Sequence, residues 1–400
     1  MKKIMVLILS VFLCLTCAKA VNADKQFSLY ARASVLIDAD NMRVLYGNNE
    51  NTRMACASTT KIMTLLVALE YGKLDDIVTI SSYAASQPDV QLDAGKGEQY
   101  RLEDLLYIMM LKSYNDVAVA VAEHVGGILN GDTSFNESKE ESLKDVQKFA
   151  DMMNKKAVSI GCRNTYFITP NGLDATDDTG YHSSTAYDLA LIGAYAIKLE
   201  KVTQICTTRS YSYMEINRKR TGTVYNADRF LDMVPGAVGL KTGFTGEAGY
   251  CFVGAVKQEG RSFVSVVLGS GWPPNKNYKW SDTKTLMNYG MDNYFPQTLH
   301  EYESEYKKIA VRNGTRDTVM TYIPFEVECI VSDSDVVNVV YECEEVIKAP
   351  VQPNEEVGRV CIYINDRLMY RLPILTAEGC SEKNMEWYLR YFVMKLTNWS

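Results

Sequence analysis

The sequence predicts an α/β (α+β) domain with a central antiparallel sheet flanked by helices, followed by a small all-β domain and a C-terminal amphipathic helix. Three observations predict it. From Phe27 to Phe295 short strand-like runs alternate with amphipathic helical ones. From Tyr302 to Ala377 strand-like runs dominate, with turn residues between them. In the last segment, Ser381 to Ser400, apolar residues recur at helical spacing. A chain of 400 residues is also longer than one typical domain, which favours a large core and a smaller module.

The chain opens with Lys2 and Lys3 before the apolar run Ile4 to Leu15, and small residues follow at Ala18, Ala20 and Ala23. That is the pattern of a secretory signal peptide, with cleavage after Ala20 or Ala23, so residues 1–23 are set apart from the fold. Cys17 suggests a lipoprotein site, but Cys14-Leu15-Thr16 before it is a poor match. Ser34 to Asp38 and Val44 to Tyr46, joined across Asp40-Asn41, read as an antiparallel hairpin. After Ser58, Ile62, Leu65, Leu66 and Leu69 fall on one helical face until Gly72, so Ser58 is expected to open a helix. Tyr107 to Ala122 is a second apolar helical stretch, broken only around Lys112 to Asp116. A polar break in a buried stretch requires a reason.

Gly126 to Val146 turns polar and acidic and reads as a surface loop or solvated insertion. Tyr250 to Val256 and Ser262 to Gly269, separated by Gln258-Glu259-Gly260, are expected to be adjacent strands. Gly271-Trp272-Pro273-Pro274 then forms a loop. The domain limits that follow are 24–297 for the larger unit and 302–377 for the β unit, with Lys308 to Val311, Val337 to Tyr341, Val357 to Ile364 and Arg371 to Leu375 as strands. The tail, 381–400, puts Met385, Tyr388, Leu389, Phe392, Val393, Leu396 and Trp399 on one face. It is too short and too charged to span a bilayer; a membrane-surface helix is the preferred reading and a helix packed on the β unit the alternative.

A net charge of −7 and a pI near 5.3 argue against nucleic acid as a partner. The eight cysteines beyond the signal are scattered rather than paired at metal-ligand spacing, so no zinc site is readable and no cofactor is called for. Free buried cysteines are the default, with a pairing among Cys329, Cys343 and Cys361 as the alternative.

Three short motifs occur in order: Ser58-Thr59-Thr60-Lys61, Ser113-Tyr114-Asn115 and Lys241-Thr242-Gly243. Together they form the S-x-x-K, S-x-N, K-T-G set of acyl-transferring serine enzymes. Residues three apart on a helix have Cβ atoms about 5 to 6 Å apart, so the Ser58 hydroxyl and the Lys61 amine can meet. Serine is a weak nucleophile until a neighbour takes its proton, and a lysine does so only when desolvation or a second cation lowers its pKa. Lys241 is the candidate second cation. Ser113 would relay the proton to the leaving amine, Asn115 would hold the substrate amide and Lys61, and Thr242 would bond the substrate carboxylate. Backbone N–H groups of Ser58 and Phe244 would form the oxyanion hole, with Gly243 allowing close approach.

Each motif alone is weak: Ser281-Asp282-Thr283-Lys284 is also S-x-x-K, and Ser134-Phe135-Asn136 is also S-x-N. The first follows K-T-G, the wrong order, and the second lies in the acidic segment. A Ser-His-Asp triad is the competing serine chemistry. No G-x-S-x-G is present, and His124 and His182 both read as structural, as does Cys56 two residues before Ser58.

With these residues in hand, the chain resembles the low-molecular-mass penicillin-binding proteins, the serine D-Ala-D-Ala carboxypeptidases of the S11 peptidase type. The likeness runs from Ala33 to Gly290 through Ala57 to Thr64, Met153 to Ala157, Asn171-Gly172-Leu173-Asp174, His182 to Leu189 and Gly239 to Thr245. It implies a β-lactamase/transpeptidase-like catalytic domain, a β domain around Lys348-Ala349-Pro350 of that family's C-terminal type, and a tail like its membrane anchor. The implied substrate is a peptidoglycan stem peptide ending in D-Ala-D-Ala, acylated on Ser58 with loss of the last D-alanine and then hydrolysed, at the outer face of the cytoplasmic membrane or in the cell envelope. Covalent inhibition by β-lactams is implied too.

Two departures stand out: the polar segment after Gly127, and the carboxylate-binding position. Some family members carry an arginine in the loop after the Val264 to Gly269 strand; here the nearest candidate is Lys279, a point charge rather than a bidentate fork. A serine β-lactamase shares the motifs but needs a glutamate for deacylation, and no Glu-x-x-x-Asn stretch follows Asn115. A D,D-endopeptidase and a catalytically silent envelope scaffold are the remaining alternatives.

Overall fold

The computed structural model describes residues 28–131 and 138–397. The signal-like segment 1–23, Ser134-Phe135-Asn136, and Trp399 and Ser400 of the tail lie outside the described residues.

Strands β1 (Ala33–Asp38) and β2 (Val44–Asn48) form the expected antiparallel hairpin, with Val35 opposite Gly47. A 3₁₀ turn, Ala57–Thr60, leads into α1 (Lys61–Tyr71). Ser58 therefore sits in a tight turn ahead of the α-helix rather than within it. After β3 (Ile77–Thr79), α2 (Ser82–Ala85) and β4 (Gln99–Arg101) come α3 (Leu102–Lys112) and α4 (Asn115–Asn130). The polar break in the apolar stretch is the corner between these two helices. Ser113 closes α3 in the left-handed conformation, φ 69°, and Tyr114 is extended before α4 begins.

The acidic segment reads differently in three dimensions. α4 stops at Gly131, φ 79°, and α5 (Lys139–Ile160) starts from Ser138, whose side chain accepts from Glu141 N. Ser138-Lys139-Glu140-Glu141 is thus a helix start, where acidic residues face the positive end of the helix dipole, and not a loop. α6 (Ala186–Ala196), α7 (Glu200–Thr207), the hairpin β5 (Ser210–Met214) and β6 (Thr221–Tyr225), and a 3₁₀ turn at Arg229–Asp232 lead to β7 (Ala237–Thr245), β8 (Gly249–Gln258) and β9 (Arg261–Leu268). α8 (Tyr278–Asn293) closes this region.

The central sheet has the order β2-β1-β9-β8-β7, and the pairings within it are antiparallel. β1 is buried along its whole length because its alternating side chains enter two cores. Val35 and Ile37 join Val253, Ala255, Val264 and Val266 under α1, α3, α4 and α6. Leu36 joins Phe252, Phe263 and Val267 on the opposite face, under Trp280, Leu286 and Met287 of α8. β7 lies at the sheet edge, so its outer backbone faces the helical layer that holds Ser58.

The β unit is built from β10 (Phe295–His300), β11 (Lys308–Arg312), β12 (Thr318–Tyr322), β13 (Val327–Val331), β14 (Val337–Cys343), β15 (Val346–Lys348), β16 (Glu356–Ile364) and β17 (Arg367–Thr376). Its six-stranded sheet runs β14-β16-β17-β12-β11-β15, and β10 pairs with β13. Ile309, Val319, Val360, Ile362 and Ile374 form its core. The junction with the first hairpin is polar and buried: Arg43 donates to Asp335 at 2.9 Å and to Ile330 O at 2.7 Å, and Asn41 Nδ2 lies 3.0 Å from Cys329 Sγ. The tail helix α9 (Met385–Thr397) buries none of its residues. Among the described residues no helix is long and apolar enough to cross a membrane, and no cluster of His, Cys, Asp or Glu could hold a metal ion. The eight described cysteines are free thiols, Cys343 partly buried and the others buried.

Candidate active site

Ser58 is presented by a turn that the surrounding chain holds from below. Ala57 has φ 49°, a conformation that costs a non-glycine residue energy and persists only where neighbours enforce it. Thr59 Oγ1 donates to Cys56 O at 2.6 Å, and Thr60 Oγ1 donates to Ala57 O at 2.8 Å. His182 completes the clamp. Its Nδ1 accepts from the backbone N–H groups of Ile168 and Thr169 at 3.0 and 3.2 Å, which places the proton on Nε2, 2.8 Å from Thr60 Oγ1. Burial, with the nearby Lys61 charge, pushes the His182 pKa down to about 4, so the ring is neutral. Both histidines read as structural have such a place, since His124 Nε2 lies 3.2 Å from Asp76. Gly172, φ 83°, passes so close that a Cβ there would lie 2.0 Å from Ala57 O.

Lys61 is fully buried on the first turn of α1. Its Nζ has three oxygen neighbours: Ser58 Oγ at 2.8 Å, Asn115 Oδ1 at 2.9 Å and Asn171 O at 2.6 Å. Burial, then the positive charge of Lys241, holds its pKa well below the ordinary lysine value, against a smaller opposing effect of Asp116. The neutral amine has two N–H donors and one lone pair. Asn171 O only accepts, and so does Asn115 Oδ1, because Asn115 Nδ2 is committed to Pro88 O and Asp89 O at 3.0 and 3.1 Å. With the amine neutral, those two oxygens can take both protons and leave its lone pair for the Ser58 hydroxyl, which also lies 3.3 Å from Asn171 O. This is the geometry of a nucleophile beside its base.

The α3–α4 corner brings Ser113 and Asn115 to the same place. Asn115 N also donates to Val90 O at 2.7 Å, and buried Asp116 accepts from Leu92 N and Ala94 N at 3.0 and 3.3 Å, fastening the 88–94 segment over the corner. Among the described residues the Ser113 hydroxyl makes no hydrogen bond.

On the other side, Lys241 is buried on β7 and donates to Thr242 O at 3.1 Å. Burial lowers its pKa to about 8, with Asp228 acting in the opposite sense. At Gly243 a Cβ would fall 2.9 Å from Ser58 N and 3.0 Å from Ala57 Cβ, so only glycine lets the strand pass this close to the turn. Phe244 follows, exposed, with its ring 4.6 Å from that of Tyr250. Lys279, the nearest candidate for the arginine that some family members carry in the preceding loop, stands on the first turn of α8, which begins at Tyr278. It is buried, with Nζ 4.7 and 4.8 Å from the Tyr250 and Trp280 ring centres and its pKa lowered to about 8 by burial. A cavity of about 280 Å³ opens beside His182, with Ala55, Asp174, Tyr181 and Glu247 around it.

The structure thus gathers Ser58, Lys61 and Asn115 by direct hydrogen bonds and sets Gly243 against them. It sets aside the second S-x-x-K: Ser281 and Lys284 are exposed, while Asp282 between them is buried and accepts from Tyr30 N, Ala31 N and Ser270 Oγ. The role of Asn171 was not legible, because it acts through its backbone carbonyl; its side chain only shapes the turn, accepting from Leu173 N at 3.0 Å and donating to Gln87 at 3.1 Å.

An antiparallel sheet between helical layers, with a buried lysine of lowered pKa against a serine at the head of a helix, defines an acyl-transferring serine hydrolase. The chain belongs to the D-alanyl-D-alanine carboxypeptidase family, peptidase S11, whose family model matches residues 18–271. The C-terminal domain of penicillin-binding protein 5 matches residues 294–382. The D-alanyl-D-alanine carboxypeptidase DacF of Bacillus subtilis is 29% identical over 368 residues, covering 90% of this chain and 88% of that one. DacA of Haemophilus influenzae is 30% identical over 78% of this chain and 76% of its own length. Among solved structures, penicillin binding protein 5 of Haemophilus influenzae superposes with a TM-score of 0.70 at 25% identity, covering 89% of this chain and 99% of that one. A single-residue mutant of a Streptomyces DD-transpeptidase gives a TM-score of 0.58 at 29% identity over 67% of this chain and 100% of its own.

Proposed function

We propose that this D-alanyl-D-alanine carboxypeptidase works through an acyl-enzyme on Ser58. Ser58 Oγ attacks the carbonyl carbon of the penultimate D-alanine while its proton passes to the Lys61 amine. The tetrahedral oxyanion is held by backbone N–H groups of Ser58 and Phe244, and Gly243 keeps β7 close enough for both to reach it. Breakage of the peptide bond needs a proton on the leaving nitrogen, and Ser113 relays it there. Terminal D-alanine departs, water attacks the ester, and Lys61 takes the proton of that water and returns one to Ser58.

Asn115 has a double duty in this reading, its Oδ1 accepting from Lys61 through one lone pair and from the substrate amide N–H through the other. Lys241, Thr242 and Lys279 hold the C-terminal carboxylate, a group that only the terminal residue of the stem peptide carries. β-Lactams acylate the same serine, and their ring carboxylate takes the place of the substrate's. The observation that carries the reading is the Lys61 contact set, in which Asn115 Oδ1 and Asn171 O can take both N–H donors of a neutral amine and turn its lone pair towards Ser58.

The enzyme acts on peptidoglycan in the cell envelope. The finer placement rests on the lysine-flanked apolar run at residues 1–23, read as an export signal, and on α9, whose Met385, Leu389, Phe392, Val393 and Leu396 are all more than half exposed. A helix with such a face and no protein surface to cover it suits the interfacial layer of a membrane. The catalytic unit would be residues 24–297, the β unit 302–377 and the membrane helix 381–400.

The test is D-alanine release from a soluble pentapeptide ending in D-Ala-D-Ala, beside a Ser58→Ala control. Release that disappears in the control is the expected result. A folded wild-type protein that releases no D-alanine but cleaves crosslinked dimers would replace this reading with an endopeptidase.

A further inference from the structure

We propose that Asp228 is a positioning residue for this reaction: its buried carboxylate is the shared counter-charge of Lys241 and Lys279 and keeps the Lys241 ammonium charged. The proposal rests on the reading of Lys241 as the partner of the substrate carboxylate.

Asp228 caps the 3₁₀ turn before β7, with Oδ1 accepting from Phe230 N at 2.9 Å. Its Oδ2 is buried without a hydrogen bond of normal geometry among the described residues, the Leu240 N–H offering the carboxylate only a weaker contact. A buried carboxylate oxygen without a donor is costly unless cations compensate it. The backbone makes room for it. Gly239, two residues before Lys241 on β7 and at φ 77°, is the position where a Cβ would lie 2.5 Å from Asp228 Oδ2.

Each packed element contributes a group to the charge balance. Lys241 from β7 and Lys279 from α8 both stabilise the Asp228 anion, and Cys206 from α7 feels that anion in turn. Lys241 is acted on by Asp228, Cys206 and Lys279, and itself acts on Lys61 of α1. Lys279 is acted on by Cys251, Asp228, Lys276 and Arg229. Burial pushes Asp228 up to about 6 and Lys241 down to about 8, so near neutral pH the first is an anion and the second a cation.

The balance then has a purpose. Among Asp228, Lys241 and Lys279, two ammonium groups against one carboxylate leave a single positive charge, which a substrate carboxylate neutralises. Without Asp228, two buried cations would face each other, and Lys241 would shed its proton at lower pH. It would then lose its grip on the carboxylate and its lowering effect on Lys61.

The experiment is the pH profile of kcat/KM for D-alanine release by the full chain, for wild type, Asp228→Asn and Lys279→Met. The alkaline limb of Asp228→Asn is expected to move down by about one pH unit, with KM rising more than kcat falls. Lys279→Met removes a repelling cation, so its limb is expected to move the opposite way. An Asp228→Asn enzyme that loses activity equally at every pH would mean that the residue only shapes the turn, and would overturn the proposal. Where that variant fails to fold, Lys279→Met decides: an upward shift supports the counter-charge, and an unmoved limb overturns it. A pentapeptide ending in a carboxamide separates the two levels, because wild type that does not discriminate against it refutes the Lys241 reading itself, and the proposal with it.

Discussion

Lys61 Nζ lies 2.8 Å from Ser58 Oγ, and the two other oxygens around it, Asn115 Oδ1 and Asn171 O, can only accept. The pair is useful only while the amine is neutral. Replacing Lys61 with Met should therefore lower the rate of acylation by a fluorescent penicillin by about 10³-fold or more, with the fold intact by circular dichroism. Lys61→Arg should not rescue it, since a guanidinium does not give up its proton in a protein. An active arginine variant would rule out proton acceptance at this position.

His182 makes stability depend on pH. Its folded pKa, about 4, is below the ordinary 6.5, so between these values the unfolded chain binds a proton that the native state refuses. Stability from this group is full above pH 6.5 and is lost as pH falls towards 4, by roughly 3 kcal/mol in all. Denaturant titrations at pH 7 and pH 4.5 should show the loss, and His182→Asn should be less stable at pH 7 but lose less on acidification.

Gly172 tests the clamp under the nucleophile. Alanine there must hold φ 83° and put a Cβ 2.0 Å from Ala57 O, so the Ser58 turn has to shift. Gly172→Ala should cost about 2 kcal/mol of stability and lower acylation by at least about tenfold, read from thermal melts and penicillin labelling.

The contact between the two units includes a buried ion pair beside apolar packing of Ile330 on Leu45 and Tyr294. Arg43 and Asp335 have side chains 8% and 6% exposed, 2.9 Å apart, and the arginine also bonds Ile330 O. Arg43→Met leaves the aspartate buried without its cation and should cost about 3 kcal/mol. Scanning calorimetry should then resolve a separate transition for the β unit, while D-alanine release from a soluble peptide stays near wild type.

Removal of residues 385–400 should leave that soluble activity unchanged, because α9 buries no residue in the rest of the chain. Sedimentation with anionic lipid vesicles should fall to background in the truncated protein. Undiminished binding would assign the membrane contact elsewhere.

Much of this protein was written in local pattern. Short apolar, β-rich runs marked β1, β8 and β9, helical period marked α1 and α9, and three ordered motifs marked Ser58, Lys61, Ser113, Asn115 and Lys241. Side-chain identity carries that information, because nucleophile, base and cation must be particular residue types at particular spacings. The acidic run was misjudged as a loop because Asn130-Gly131 and Ser138 to Glu141, a helix stop and a helix start, have the composition of a turn. What tertiary structure alone decided is the state of those groups. Lys61 has a lowered pKa because it is buried, and it faces two carbonyl oxygens, one of them the backbone of Asn171, which any residue could have offered. Asp228 looks like an ordinary turn aspartate until β7 folds past it and buries one oxygen near two lysines. Burial and long-range contact set protonation, and neither is a property of neighbouring residues in the chain.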